Sequence, residues 1–585
     1  MAAGNTSTKG HTANLVQLLL SVGILAVLAF LGSLAYTKFD LTSERRHSLT
    51  PATVTLLEEL PDPAFVRCYL TGDLPAKFKR LEQSLGDRLA EFADFSDGML
   101  EYEFIDPYES EDDETISRIE QTLYDQGLRF TRISYEDKGA DVGQIVWPAA
   151  VITYRGKDIP VQFFKSNTPQ PDEVMINASI NNLEYELARS LRMAMRRETP
   201  AIAILEGQGE WGPLSLADLE TTLSESYAVG RVRIDEQIDA LSEKIEGMTW
   251  RTNKYDLLVV AGPDSTFSDK DRMILDQFIM NGGKVIWMVD GLKMNLDSLR
   301  ANQQTFALRN ELGIYDQLFD YGVRVNRELV LDYTCEEIVV DVGPNGNQRQ
   351  YEVKPWYYAP VITPEDTVTH PILTNLGPIH FRFASSLDLV GQNPDVTQTV
   401  LLRSSELSME LPEPAMVSLG RVAFGLDYFQ NNARGSKNMA VLLEGEFTSN
   451  FVGRLPKAIA EDPGIAFREK SKPTAQLIIA DGDLARNKYN MTQRGPQILP
   501  LGLYDLTGKV KFENKAFLLN AVNYLLDEDA LISVRQRTIE LRLLDEEKIT
   551  DDRQFWQLAN VGLPLVVVIV FGLIMRVLRR RMYQR

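Results

Sequence analysis

The stretch 255–291, YDLLVVAGPDSTFSDKDRMILDQFIMNGGKVIWMVDG, leaves the chain little freedom in how it can fold. Residues 257–260 are all apolar and run into Gly262-Pro263, the pattern of a short strand buried on both faces. Ser268 is placed to cap a helix beginning at Asp269 or Lys270; the acidic first turn suits the helix dipole, and Gly282-Gly283 ends it. Met273, Ile274, Phe278 and Ile279 fall on one stripe of that helix and pack it on a sheet. Residues 285–289 form the next strand, which a right-handed crossover makes parallel to the first. One complete βαβ unit therefore predicts an open α/β domain at the centre of the chain.

A length of 585 residues leaves room for about three or four domains. The net charge of -21, from 61 basic and 82 acidic residues, argues against a nucleic-acid surface, because phosphate binding needs clustered Lys and Arg. The two cysteines, Cys68 and Cys335, lie far apart and outside any C-x-x-C, so neither a zinc site nor dithiol chemistry is expected. A disulfide between them stays open in an oxidising compartment.

Both ends read as membrane segments. Residues 15–36 are apolar apart from Gln17, Ser21 and Ser33, and at ~1.5 Å per residue they are long enough to cross a bilayer. A cleaved signal peptide competes, since Ser33-Leu34-Ala35 resembles a small-x-small cleavage site. The run is longer than a typical h-region and only Lys9 precedes it as a firm positive charge, which favours an uncleaved anchor. Residues 557–575 form the second span, entered through Phe555 and Trp556 and followed by Arg576, Arg579, Arg580, Arg581 and Arg585. That cluster holds the tail in the cytoplasm, so both termini (1–14 and 576–585) are expected there, with the bulk of the chain outside the inner membrane. Lys38, Arg45 and Arg46 count against this orientation, but the C-terminal cluster is larger and closer to its span.

Residues 38–168 show the order βαβαββ: strands at 65–70 and 100–105, helices at 74–95 and 114–126, then strands at 145–154 and 157–164. That order predicts a thioredoxin-like domain. Where such an enzyme places its C-x-x-C, this chain has Thr71-Gly72-Asp73-Leu74-Pro75, which excludes dithiol catalysis. A linker helix is expected over 169–199, a central open α/β domain over 200–315, a second α/β region over 316–537, and a connector with a strand near 538–545 before the second span. The predicted fold class is thus α/β: a membrane-anchored multidomain ectodomain, thioredoxin-like at its start and Rossmann-like after it, flanked by two transmembrane helices.

In the central domain a strand at 201–205 precedes Glu206-Gly207-Gln208-Gly209-Glu210 and a helix at 215–226. Three strand ends then line up: Glu206-Gly207, Ala261-Gly262 and Asp290-Gly291. Open parallel sheets bind ligands at such carboxyl ends, which makes Glu206, Gly207, Gln208, Gly209, Glu210, Gly262 and Asp290 a candidate ligand crevice, although every sheet of this kind has these ends. Asp481-Gly482-Asp483 has the composition of a cation-holding turn, but two carboxylates are few ligands and the run reads first as a plain turn. His370 before Pro371 and His380 between Ile379 and Phe381 read as turn and strand residues.

Several longer motifs occur in a specific order. They are DLTSERRHSL at 40–49, ILEGQGE at 204–210, LDQFIMNGGKVIWMVD at 275–290, FDYGVRVN at 319–326, PWYYAPVITP at 355–364, HPILTNLGPI at 370–379, FASSLDLV at 383–390, AVLLEGEFTSNF at 440–451 and IIADGDLARN at 478–487. Together they resemble the gliding-motility-associated GldG family of ABC-transporter auxiliary proteins across nearly the whole region between the spans. The resemblance implies a two-span, periplasm-exposed subunit that partners an ABC permease and, through it, a cytoplasmic ATPase, with periplasmic gliding or secretion components as further partners. It also implies a central domain similar to one in an intraflagellar-transport protein and likened to carbohydrate-binding relatives. One departure is visible: where family members commonly show G-H-G-E, this chain has Gln208, an amide that can hydrogen-bond but cannot act as a general base.

Enzymatic classes find little support. A phosphate loop needs G-x-x-x-x-G-K-[ST], and Gly283-Lys284, Gly156-Lys157 and Gly508-Lys509 all lack it. No cysteine stands at the strand-to-helix elbows at Gly207 or Gly262. No catalytic residue, metal site or cofactor is expected. The leading expectation is a non-catalytic coupling subunit; the alternative is a periplasmic module that binds a glycan or other ligand at the strand ends. Gly23, Ala26, Ala29 and Gly32 recur about every three residues in the first span and form a small-residue face that permits close helix approach, the candidate permease contact. Pro564 in the second span frees a backbone hydrogen bond and lets that helix bend.

Overall fold

A computed structural model describes residues 20, 22–24, 27, 48–109, 112–137, 140–164, 173–196, 198–245, 250–294, 298–299, 302–345, 348–364, 370–374, 376–391, 393–526 and 553–583. One compact unit spans His47–Arg537, and the C-terminal helix belongs to a second.

The first part of the large unit begins with helix α1, Pro51–Glu58, whose cap Thr50 accepts from the Thr53 amide. It continues through β1, Ala64–Cys68, α2, Ala76–Phe95, β2, Leu100–Phe104, and α3, Asp113–Asp125. A hairpin of β3, Thr131–Asp137, and β4, Ala140–Val146, leads to β5, Ala149–Tyr154, and β6, Lys157–Gln162. The sheet order is β2-β1-β5-β6, with β1 parallel to β2 and antiparallel to β5. Phe78, Leu81, Leu85, Leu89 and Phe92, at helical spacing on α2, are fully buried against this sheet. Helix α4, Glu173–Met195, closes the core; its buried Glu184 accepts from both the backbone N–H (2.7 Å) and the hydroxyl (2.9 Å) of Thr50, which ties the start of α1 to it. Cys68 and Cys335 are both free thiols.

The central sheet has nine strands. The elements in chain order are β7, Ala201–Glu206, α5, Pro213–Ser224, β8, Ala228–Arg233, β9, Leu257–Ala261, α6, Asp269–Met280, and β10, Lys284–Met288. They are followed by β11, Val323–Val325, the hairpin strands β12, Cys335–Asn345, and β13, Gln348–Ile362, then β14, Leu387–Leu389, β15, Val396–Arg403, β16, Asn438–Gly445, β17, Thr474–Ile479, and α7, Asn514–Leu526. The path is β11-β14-β16-β17-β10-β9-β7-β8, with β15 also pairing β16. From β8 to β17 the neighbours are parallel, and from β17 onward they are antiparallel. β9 is buried at every residue. Its alternate side chains enter different cores: Leu257 and Val259 pack with α5 and α7, while Leu258 and Val260 pack with α6. Helices therefore cover both faces, as the unbroken apolar runs require. The expected division at 315/316 falls between strands of this one sheet, since β11, β14, β15, β16 and β17 come from the later stretch.

Helix α8, Arg553–Tyr583, contains a 19-residue segment, Asn560–Leu578, of mean hydropathy 2.6. Among the described residues it is the one helix long and apolar enough to cross a membrane. Val561, Leu563, Val568 and Phe571 on it are all more than 60 % exposed, an arrangement that water does not sustain and lipid does. Of the first expected span, Leu20, Val22, Gly23, Ile24 and Val27 are helical, and the rest, including Ala26, Ala29 and Gly32, lies outside the described residues. The expected strand at 538–545 lies outside them as well.

Candidate functional site

Four parallel strands, β7, β9, β10 and β17, present their carboxyl ends side by side. The ladder continues one step past the strands, with Gly262 N donating to Met288 O and Val289 N to Ile479 O, both at 3.0 Å. Beyond it the chain must turn where four strands crowd together, and two glycines make that possible. Gly262 adopts φ +62°, and Gly482 has no room for a side chain: a Cβ there would sit 2.5 Å from Asp290 Oδ2 and 2.8 Å from Gly262 Cα.

Trp211 closes these ends. Its amide donates to Ala261 O (3.0 Å) and its indole Nε1 to Gly482 O (2.8 Å), while the Arg486 guanidinium stacks 3.8 Å from the ring centroid. The loop before it folds onto the end of β9. Gln208 O accepts from Asp264 N and Ser265 N, Gln208 N donates to Glu210 Oε2 (2.7 Å), and Gln208 Nε2 lies 3.4 Å from Asp271 Oδ2. Gly209, at φ +79°, packs so closely on Asp264 that no Cβ would fit. Burial pushes the Glu210 carboxyl up from its ordinary value. Glu206 points elsewhere: Arg231 on β8 donates to it at 2.6 Å and also pairs with Glu220. Gly207, Gln208, Gly209, Glu210, Gly262 and Asp290 are thus brought together at the strand ends, while Glu206 is engaged with the edge strand.

Asp290 is half-buried beneath Gly482, whose amide donates to its Oδ1 (2.9 Å). Asp481 accepts from the amides of Arg382 and Asp483, both at 2.7 Å. Burial, and next to it the charge of Asp481 and then Asp483, holds the Asp290 carboxyl well above the usual carboxylate range. Burial and the nearby Asp483 push Asp481 up to about 8. Each carboxylate is turned to a backbone amide, and among the described residues no group of three or more His, Cys, Asp or Glu side chains is placed to hold a metal ion.

A cavity of about 480 Å³ opens beside this cluster, on the β17 side, and none of the seven crevice residues expected from the sequence lines it. Ser215, His380, Arg382, Asp483, Arg486 and Lys488 bring polar groups to it. His380 is stacked on Phe512, with ring centroids 4.8 Å apart, and its Nε2 lies 2.9 Å from Glu336 Oε2 on β12, out of line for a hydrogen bond. Burial lowers the His380 pKa. Burial alone would raise Glu336, but contact with His380 and the charges of Arg382 and Lys488 outweigh it and hold that carboxyl low. The fourth strand end, Ala480-Asp481, is what the sequence reading missed. Its signal was present in IIADGDLARN, an apolar strand emptying into an acidic glycine turn. The neighbours Trp287 and Gln476, whose side chains hydrogen-bond at 3.1 Å, stand 189 positions apart, too far for local pattern to join them.

A two-faced α/β body joined to an exposed apolar helix defines a membrane-associated α/β protein. The chain belongs to the family described as "ABC-type uncharacterized transport system", an ABC transporter auxiliary family, whose model matches residues 199–521. A second model, for a domain of unknown function (DUF7088), matches residues 43–153. No curated protein matches the chain. Among solved structures the mmIFT52 N-terminal domain is similar at 11% identity, covering 59% of this chain and 100% of that chain with a TM-score of 0.29.

Proposed function

We propose that this chain is a non-catalytic, membrane-anchored subunit of an ABC-type transport complex, of the GldG kind, that couples a permease and its cytoplasmic ATPase to a partner in the periplasm. The observation that carries the reading is the exposed apolar segment Asn560–Leu578 joined in one chain to a body matched by the transport-system family over residues 199–521. A body without a phosphate loop can respond to ATP only through contact with another subunit. Helices in the membrane are the parts that share a slab with the permease. In this reading residues 15–36 supply a further span, the first in the chain, both termini are cytoplasmic, and the face of Gly23, Ala26, Ala29 and Gly32 packs on the permease. The sheet order β2-β1-β5-β6 supports a thioredoxin-like domain within 38–168, and 200–537 form a Rossmann-like region reached through the helix at 169–199. Gliding or another envelope process is the setting that the motif order supports.

The test is recovery of the permease with the tagged full chain from detergent extracts. Gly23→Leu with Gly32→Leu keeps the span apolar but blocks close approach, so permease recovery is expected to fall several-fold with membrane insertion unchanged. Undiminished recovery would place the association elsewhere, and absence of any permease with the parent chain would overturn the reading.

The cavity beside β17 favours a second reading, in which the body also binds a ligand at its strand ends.

A further inference from the structure

The cavity beside β17 has the size of a small-molecule site, about 480 Å³, and it lies outside the carboxyl end of a parallel strand, where open α/β sheets hold ligands. Its charges are unevenly committed. Arg486 is 3.2 Å from Asp483 and stacked on Trp211, and Lys488 pairs with Asp505 at the rim. Arg382 differs from both. Its ion-pair partner is Glu336 Oε2 at 3.9 Å, beyond hydrogen-bond reach, and that oxygen is already 2.9 Å from His380 Nε2. The Arg382 side chain is 27% exposed. A guanidinium has five donors in a fixed fork that matches carboxylate and phosphate oxygens.

The other walls add to this. Helix α5 reaches the cavity with Ser215 in its first turn, and no side chain caps that end; amides at such an end favour negative charge. Of the two aspartates in the wall, Asp483 is paired with Arg486, and Asp481 is turned to the amides of Arg382 and Asp483, with burial and then Asp483 pushing its carboxyl up. Arg382 is therefore the cation of this wall whose carboxylate partner stands beyond hydrogen-bond reach, in a chain whose net charge is -21.

We infer that this cavity binds a small polar molecule bearing one oxyanion group, a carboxylate or a phosphate, with Arg382 as its principal contact, Lys488 at the rim and the first turn of α5 opposite. Ser215 and Asn490 line the same space and face the remainder of the molecule. The site is distinct from the strand-end residues 206–210, 262 and 290 and stands whether or not the chain acts in a transport complex.

The experiment is thermal unfolding of the full chain in detergent with inorganic phosphate, glucuronate, glucose as the uncharged counterpart of glucuronate, and chloride at matched ionic strength. A saturable rise in the midpoint with phosphate or glucuronate, absent with glucose and chloride, is expected, since a ligand that binds only the folded state stabilises it by mass action. Phosphate alone would point to a phosphate ester, and glucuronate alone to an acidic sugar or similar carboxylate. Arg382→Gln should abolish the rise and Arg382→Lys retain part of it. Lys488→Gln, an exposed change at the rim, should weaken it several-fold and serves if Arg382→Gln does not fold. No rise with either oxyanion, or a rise undiminished in both Gln variants, would overturn the assignment.

Discussion

Asp290, Asp481 and Asp483 crowd three carboxyl groups at the ends of two neighbouring strands, and burial, with the neighbouring carboxylates next, pushes the pKa of the first two up. A carboxyl whose folded pKa lies above its unfolded value makes the folded state bind more protons than the unfolded one, so stability falls as pH rises through that window. For Asp481 the window runs from its ordinary value of 3.8 to about 8, and Asp290 shifts in the same direction. The pair titrates as a unit. Asp290→Asn preserves the acceptor for Gly482 N and removes one charge from the cluster. The variant should gain stability relative to the parent as pH is raised from 5 to 8, measured by denaturant unfolding at both values. His370, which burial lowers to about 4, pulls the opposite way below its ordinary 6.5 but does so equally in both proteins. A pH-independent difference would show that Asp290 ionises freely. At this scale Gly262 and Asp290 were legible because each follows directly on an apolar run. Arg382 was not, since nothing near FRFASS in the chain shows that its amide would meet Asp481, 99 positions on.

The elements themselves follow local pattern where the pattern is dense. Ser268 caps α6 by accepting from Asp271 N, the helix runs Asp269–Met280, and Gly282 turns at φ +94° just past its end, all as the residues indicate. The stretch read as one strand over 145–154 breaks at Trp147-Pro148 into β4 and β5, because Pro148 lacks the amide that a continuous ladder needs. β8 escaped detection: AVGRVR alternates weakly, contains Gly230, and as an edge strand needs burial on one side only. Trp211 makes a tightly constrained junction with the ends of β9 and β17. A methyl group on Gly262 would sit 2.4 Å from the Trp211 indole nitrogen and 2.9 Å from Gly482 O, at a φ of +62°. Gly262→Ala is therefore expected to cost about 1–3 kcal/mol. Tryptophan emission should shift as Trp211 is displaced, and a variant with unchanged midpoint and emission would mean the loop accommodates it freely.

At the scale of the whole molecule, the parallel half of the central sheet was readable and its extent was not. β17 enters beside β10 after a long excursion through the β12–β13 hairpin and the antiparallel strands, and such distant pairing leaves no local trace. The candidate site inherits that difficulty, since its walls come from residues 215, 380, 382 and 514 and from the stretch between 481 and 503. The membrane arrangement can be tested directly. A reporter active only outside the cytoplasm should be silent when fused after Arg585 and active when inserted at the exposed turn at Gly453. The reverse pattern would invert the proposed topology.

Helix α7 is placed where two cores meet. Tyr524 on it packs against both the core of the first sheet and that of the central sheet, its hydroxyl donates to Glu444 at 2.7 Å, and the carbonyl of Leu526 accepts from Arg196, just past α4, at 2.9 Å. A single side chain is therefore common ground to both sheets. Loss of the Tyr524 ring would weaken the two cores together and not one before the other.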